Sequence, residues 1–186
     1  MELSTNPVKY WHELGPFTVF DLETTGLSPT RDRIVEIAAV HVDLDGTVTR
    51  FQSLVNPGCP IPYAASRVHN ITDAMVRSAP TFREIAPQFL DLARHSTLVA
   101  HNARFDLGFL QESLARGGNE LWKGKTMDTL KLSRRAFAGL PSYSLQHLRH
   151  ALALPEVSGE AHRAGADAEW TMHLLRVILS ALLQST

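Results

Sequence analysis

Cysteine is almost absent from this chain: Cys59 is the single thiol in 186 residues. No disulfide can form within the chain and no thiolate cluster can hold a metal, which points to a reducing cytoplasm as the setting. An excess of charge is missing too. Lys and Arg number 18 against 19 Asp and Glu, a net charge of −1, so the chain does not grip nucleic acid by bulk charge. Local use of nucleic acid, with bound cations supplying positive charge, stays open. No apolar run has the length of a membrane span, and the opening MELSTNPVKYWHELGP lacks the basic start and apolar core of a secretion signal. Repeats and low-complexity tracts are also absent. What is present is 44% apolar and 20% charged, the composition of an ordinary globular protein with enough chain for a sizeable core.

Residues 1–15 read as an N-terminal arm and 16–183 as one domain. A first strand is expected over 16–24 and a well-buried second over 32–43. Asp45-Gly46 then signals a hairpin turn into a third strand over 47–55, which Asn56-Pro57-Gly58 ends. A short helix is expected within PYAASRVHN. Thr81 and Glu84 form a capping box for a helix to about 94. A short strand over 96–101 leads to a helix over 103–116, with Asn102 as its cap and Gly117-Gly118 at its end. KTMDTL reads as a fifth strand running into a helix, Ser144 caps another, and the last helix spans about 163–183, with Leu174, Leu175, Ile178 and Leu182 at helical spacing. Hairpin strands followed by alternating strands and helices make an α/β fold with a mixed sheet.

The stretch FTVFDLETTGLSP carries a local conflict. Phe17, Val19, Phe20 and Leu22 suit a buried strand, yet Asp21 and Glu23 stand two apart and so share a face, where like charges repel. Further acids stand where elements meet: Asp106 opens the helix after the fourth strand, where the helix dipole favours an anion, and Asp167 opens the last helix. His162 precedes Asp167 by five residues, about 140° of helical rotation, so it is expected at the helix entrance rather than on the face of Asp167. Taken singly, D-x-E can be an exposed edge strand, Asp106 a helix N-terminal acid and His162 a surface histidine. Four carboxylates from three elements converge only around something positive. Hard oxygen donors without cysteine favour Mg²⁺ or Mn²⁺, and a pair of such ions suits phosphodiester displacement. A nearby histidine is a suitable base.

The ordered set VFDLETTGL, VHNIT, AHNARFD and HRAGADA resembles the DEDD superfamily of 3′–5′ exonucleases, in the histidine-bearing branch that includes the proofreading epsilon subunits of bacterial DNA polymerase III. The resemblance runs over roughly 16–180. It implies a ribonuclease H-like fold, a five-stranded mixed sheet flanked by helices. It implies that Asp21, Glu23 and Asp167 hold the catalytic ion, that Asp21 bridges to a second held by Asp106 directly or through water, and that His162 is the general base. Thr24, Thr25, Leu27, His69, Asn102 and Phe105 would line the terminal nucleotide. Asn70 stands where the family usually has glycine, a turn position that asparagine tolerates. The implied activity is hydrolysis of single-stranded or frayed DNA ends to nucleoside 5′-monophosphates with two divalent cations, Mg²⁺ or Mn²⁺. The implied partners are single-stranded nucleic acid, DNA favoured, and a DNA polymerase or repair assembly, with no membrane. The alternatives are the same chemistry on RNA and a catalytically idle binding module on this fold.

Overall fold

A computed structural model of the chain describes residues 13–159 and 161–184. Most of the expected N-terminal arm, residues 1–12, lies outside the described residues. Five strands form the sheet: β1 (Phe17–Thr24), β2 (Ile34–Val42), β3 (Val48–Leu54), β4 (Thr97–Ala100) and β5 (Thr126–Asp128). Their spatial order is β3-β2-β1-β4-β5. The β3–β2 and β2–β1 pairs are antiparallel and the β1–β4 and β4–β5 pairs parallel, the mixed sheet that the sequence implies. β1 is therefore central. β1 is not an edge strand, since Phe17–Val19 pair on both sides, whereas Asp21 and Glu23 run past β4 and pair with β2 alone.

The helices are α1 (Tyr63–His69), α2 (Asp73–Val76), α3 (Phe82–Ala93), α4 (Ala103–Gly117), α5 (Thr129–Ala136), α6 (Leu145–Ala151) and α7 (Ala164–Gln184). The alternation of β1 divides them between two faces. Phe20 and Leu22 point into a core completed by Phe89 of α3 and by Phe109, Leu110 and Leu114 of α4. Phe17 and Val19 point the other way, onto Ala164, Ala168, Met172, Leu175 and Leu179 of α7. α7 has a second buried stripe, Ala166, Trp170, Leu174 and Ile178, packed on Leu145 and Leu148 of α6. Two stripes explain why so long a helix is apolar almost all round. Alanines at 164 and 168 let its first turns approach the sheet closely, which brings Asp167 down to the strand ends.

Local signals set the boundaries. The hairpin between β2 and β3 turns at Gly46 (φ +85°), with the Asp43 N–H donating to the Thr47 carbonyl at 2.9 Å. The expected capping box is present, with Glu84 accepting from the Thr81 amide at 2.7 Å, and Ser144 Oγ accepts from the His147 N–H. Asn102 differs from expectation. It occupies the N-cap position of α4, but its backbone is left-handed (φ 65°, ψ 50°) and its side chain makes no capping bond. Its N–H instead meets Asp128 Oδ1 at 3.2 Å, which ties the end of β4 to the end of β5. Asn70 adopts the left-handed conformation at the end of α1 that its place in the turn requires.

The close seat of α7 makes a stability prediction. Ala168 has no exposed surface, so Ala168→Leu should destabilise the fold by about 1–3 kcal/mol through overpacking. Leu44→Ala, at an exposed position of the β2–β3 turn, should stay within about 0.5 kcal/mol. Urea unfolding of both variants would measure the contrast; equal midpoints would show that α7 does not pack tightly here.

Candidate active site

β1 outruns its parallel neighbour. Its pairing with β4 covers Phe17–Val19 only, so the strand carries Asp21 and Glu23 beyond the end of β4, on the face covered by α7. Asp167, in the first turn of α7, meets them there. One oxygen from each of Asp21, Glu23 and Asp167 lies within 4.8 Å of the other two. Asp106 comes from the opposite side of the sheet, in the first turn of α4, and is 3% exposed. Its charge acts on Asp21, and the Leu22 amide stabilises its anion. The sequence-derived carboxylates thus converge, three in direct proximity and Asp106 behind Asp21.

Their mutual effect is large. Burial raises Asp21 well above the usual carboxylate range, and the charges of Asp106, Asp167 and Glu23 push it further. Burial, then Asp167 and Glu36, push Glu23 up to about 9. Asp106 is raised to about 8, chiefly by burial, while its own backbone amide and that of Leu22 oppose the shift. Burial raises Asp167 as well, against the opposing charge of His162 and the hydrogen bond from the His162 N–H. Such a group is unstable as a set of bare anions and suited to a divalent cation, which turns the repulsion into ligation. The donors are all carboxylate oxygens, the chemistry of Mg²⁺ or Mn²⁺ sites rather than of thiolate or imidazole zinc sites.

His162 stands outside the helix, as its spacing from Asp167 requires. Its backbone is left-handed (φ 59°) and its N–H donates to Asp167 Oδ2 at 3.1 Å. The ring is exposed and close enough for its charge to favour the Asp167 anion. Asp167 Oδ1 accepts from Gln146 of α6 at 3.2 Å.

The residues expected to line a nucleotide divide into two groups. Leu27 is 84% exposed, Asn102 is exposed, and Phe105 is half-buried with its ring 5.0 Å from that of Phe109. These can meet a substrate as they stand. Thr24, Thr25 and His69 are buried and engaged in building the rim. Thr24 Oγ1 donates to the Gly26 carbonyl at 2.6 Å, Thr25 Oγ1 accepts from the Arg33 N–H at 2.9 Å, and His69 Nδ1 accepts from the Ile71 N–H at 3.0 Å. Burial lowers the His69 pKa, partly opposed by the Thr24 backbone. The loop that carries Leu27 is clasped from α4: Arg116 donates to the carbonyls of Pro29, Thr30 and Asp32 at 2.7, 2.6 and 3.2 Å. Gly26 leaves room in this loop for the Asp32 carboxylate, since a Cβ there would lie 2.5 Å from Asp32 Oδ2 and force that side chain to shift.

Sequence reasoning missed several residues around the site. Glu36, directly opposite Glu23 in the β1–β2 pair, is 1% exposed and bonded to Arg163, Ala164 and Gln52. A charge inside IVEIAAV was the available signal. Arg149 stacks on Trp170, 3.7 Å from the ring centroid, and donates to Gln146. His101 bridges Thr129 Oγ1 at 3.0 Å and the Tyr143 carbonyl at 2.9 Å, which holds the end of β4 against α5 and the approach to α6. None of these has a spacing that reveals its partner in one dimension.

The exonuclease family model, RNase_T, matches residues 18–175, most of the chain and every residue of the carboxylate group. The chain belongs to the exonuclease family. This exonuclease is 39% identical over 171 residues to the DNA polymerase III subunit epsilon of Treponema pallidum, covering 91% of this chain and 79% of that protein. It is 37% identical over 169 residues to the 3′-5′ exonuclease DinG of Bacillus subtilis, covering 90% of this chain but 18% of that protein. It spans only 12% of a PolC-type DNA polymerase III from Caldanaerobacter subterraneus. Among solved structures, exonuclease X in complex with 5′ overhanging duplex DNA superposes with a TM-score of 0.71 at 34% identity, over 88% of this chain and 90% of that one. The fold is thus ribonuclease H-like. Exonucleases of this family depend on metal, and the Asp21–Glu23–Asp167 group is where this chain could bind it.

The raised carboxylate pKa values predict how the metal-free fold responds to pH. Below the ordinary values of 3.8 for Asp and 4.5 for Glu, both folded and unfolded chains hold these protons. As pH rises, the unfolded chain releases them first, so stability should fall steadily until Glu23 ionises in the fold near 9. Thermal melts in EDTA across that range would show the decline, and excess Mg²⁺ should flatten it. In EDTA, Asp167→Asn should melt above the wild type and gain less from Mg²⁺. A lower melt would make Asp167 a hydrogen-bonding residue first, through Gln146 and the His162 N–H.

Proposed function

We propose that the chain is a metal-dependent 3′–5′ exonuclease that releases nucleoside 5′-monophosphates from single-stranded or frayed DNA ends. The observation that carries this reading is the convergence of Asp21, Glu23 and Asp167 within 4.8 Å, with His162 at the exposed entrance of the same helix. The direction is supported by the name of the Bacillus subtilis relative, and DNA by the duplex with an overhang bound to exonuclease X. The epsilon-subunit relative supports a setting beside a DNA polymerase, where proofreading or repair is the role this reading gives the chain.

Asp21, Glu23 and Asp167 would hold one Mg²⁺ or Mn²⁺, and Asp106 with Asp21 a second. Bound there, the cations supply Lewis-acid stabilisation of the attacking and leaving oxygens. The chain supplies the rest. His162 takes a proton from the attacking water onto a ring nitrogen, and that water's oxygen forms the new bond to phosphorus. The bond from phosphorus to the 3′ oxygen breaks, and that oxygen takes a proton from solvent water, leaving a 3′-hydroxyl on the shortened strand. Leu27, projecting from a loop fixed by Arg116, and Phe105 present apolar surface against which unstacked terminal bases can lie. Asn102, beside Phe105, offers an exposed amide to the same nucleotide. A frayed end suits a site reached between a loop and a helix start.

Two measurements test the proposal. A 5′-labelled single strand incubated with Mg²⁺ or Mn²⁺ should shorten from its 3′ end and stay intact in EDTA, with matched RNA degraded more slowly. Activity in EDTA, or loss of the 5′ label first, would refute it. His162→Ala should lower kcat by roughly 10²–10⁴-fold while leaving Mn²⁺ affinity, read by calorimetry, nearly unchanged. Full activity at neutral pH would assign the proton to another group.

A further inference from the structure

Glu36 is a carboxylate inside an otherwise apolar strand. It shares the α7 face of the sheet with Asp21 and Glu23, since it is the cross-strand partner of Glu23. Its surroundings are nevertheless opposite in kind. Arg163 donates through Nε to Oε2 at 3.0 Å and through Nη2 to Oε1 at 2.8 Å, a two-point grip. The Ala164 N–H donates to Oε2 at 3.0 Å, and Gln52 Nε2 to Oε1 at 3.0 Å. Four donors on two oxygens leave Glu36 engaged as an anion and little able to join the neighbouring cluster as a ligand. Burial alone would raise its pKa, but the bonds from Arg163, Gln52 and Ala164 bring it below the ordinary value.

The two residues gripped, Arg163 and Ala164, lie between His162 and Asp167. His162 is in a left-handed conformation at the boundary where an irregular stretch becomes α7, and Gly159, three residues earlier, is at φ +125°. On the other side, Asp167 must reach the β1 carboxylates from a helix. The Glu36 contacts are a polar attachment of this junction to the sheet, one strand away from Asp21 and Glu23. They also settle where the Arg163 charge goes. A guanidinium this near the cluster favours the Glu23 anion, and left ungripped it could turn toward Glu23 and compete with a cation there.

We infer that Glu36 and Arg163 form a positioning pair, which pins the entrance of α7 to β2, sets His162 and Asp167 in register with Asp21 and Glu23, and keeps the Arg163 cation out of the carboxylate cluster. The inference rests on the reading of His162 and Asp167 as members of the hydrolytic site. Neither member of the pair touches the reacting atoms; both act through the residues they hold.

The test is a double-mutant cycle between Arg163→Lys and His162→Ala, read as single-turnover cleavage of a labelled single strand and as Mn²⁺ affinity by calorimetry. Lysine keeps the charge but loses the two-point grip. Arg163→Lys should lower kcat and weaken Mn²⁺ binding by about 10–100-fold, the range typical of residues that orient ligands, with KM for the strand little changed. In the His162→Ala background, at Mn²⁺ saturating for each variant so that the part acting through Asp167 is removed, the same substitution should lower the cleavage rate by far less, because His162, the other residue being positioned, is gone. Independent effects would multiply to within about twofold. Multiplying factors, wild-type cleavage by Arg163→Lys, or unchanged Mn²⁺ affinity would each overturn the positioning role. Full activity in His162→Ala alone would instead overturn the functional reading beneath it. If Arg163→Lys does not fold, Glu36→Gln, which keeps the shape and removes the charge, carries the same cycle with the same expected and overturning results.

Discussion

Asp21 and Glu23 leave β1 on the same side, and Asp167 meets them from above, so three carboxylates share a space of a few ångströms and cannot all stay ionised without a cation. At such distances and an effective dielectric near 20, one pair of unit charges repels by as much as ~4 kcal/mol. No single surface contact offsets that. The apolar stripe of α7 on Phe17, Val19 and Val99 does, together with the core on the opposite face. The helix is driven onto the sheet by its alanines, methionine and leucines, and Asp167 is carried along. The stability of the metal-free fold is thereby tied to the occupancy of its own carboxylate cluster.

Around that cluster the polar contacts point inward in sequence from rigid elements. Trp170 supports Arg149, Arg149 holds Gln146, and Gln146 reaches Asp167. Arg116 fastens the Leu27 loop to α4. His101 fastens β4 to the elements that follow it. Each orients a group without adding another anion. Glu36 shows the same logic in reverse: a carboxylate next to the cluster is tolerated because a guanidinium and a backbone amide neutralise it. Two acids facing one another across β1 and β2 therefore have opposite electrostatic fates, Glu23 pushed up and Glu36 held down.

Much of this was legible in one dimension. The D-x-E in a buried strand, the capping box at Thr81, the Asp45-Gly46 turn and the left-handed Asn70 all act over a few residues, and short-range signals survive in a sequence. The five-residue offset between His162 and Asp167 correctly put the histidine outside the helix. Asn102 failed as a cap because its neighbour in space, Asp128, lies far along the chain and redirects its backbone. Glu36 could be seen to be odd within IVEIAAV, yet its partner Arg163 lies on another element and has no period in common with it. The buried state of Thr24, Thr25 and His69 was hidden for the same reason: burial is decided by what packs over a residue in space, not by the residue itself.

The carboxylate cluster also has a history in the making of the molecule. Its members come from the first strand, from α4 midway and from the last helix, so it joins the most distant parts of the fold. A chain emerging in order from its N-terminus can pair β1 with β2 and β3, and later add β4, while Asp21 and Glu23 face solvent with no third partner. Only when α7 has formed and settled on the exposed side of the sheet do the oxygens meet. The chemistry of such a cluster is therefore gated by completion of the fold, and a chain halted before α7, however well its sheet is formed, contains every strand and no site.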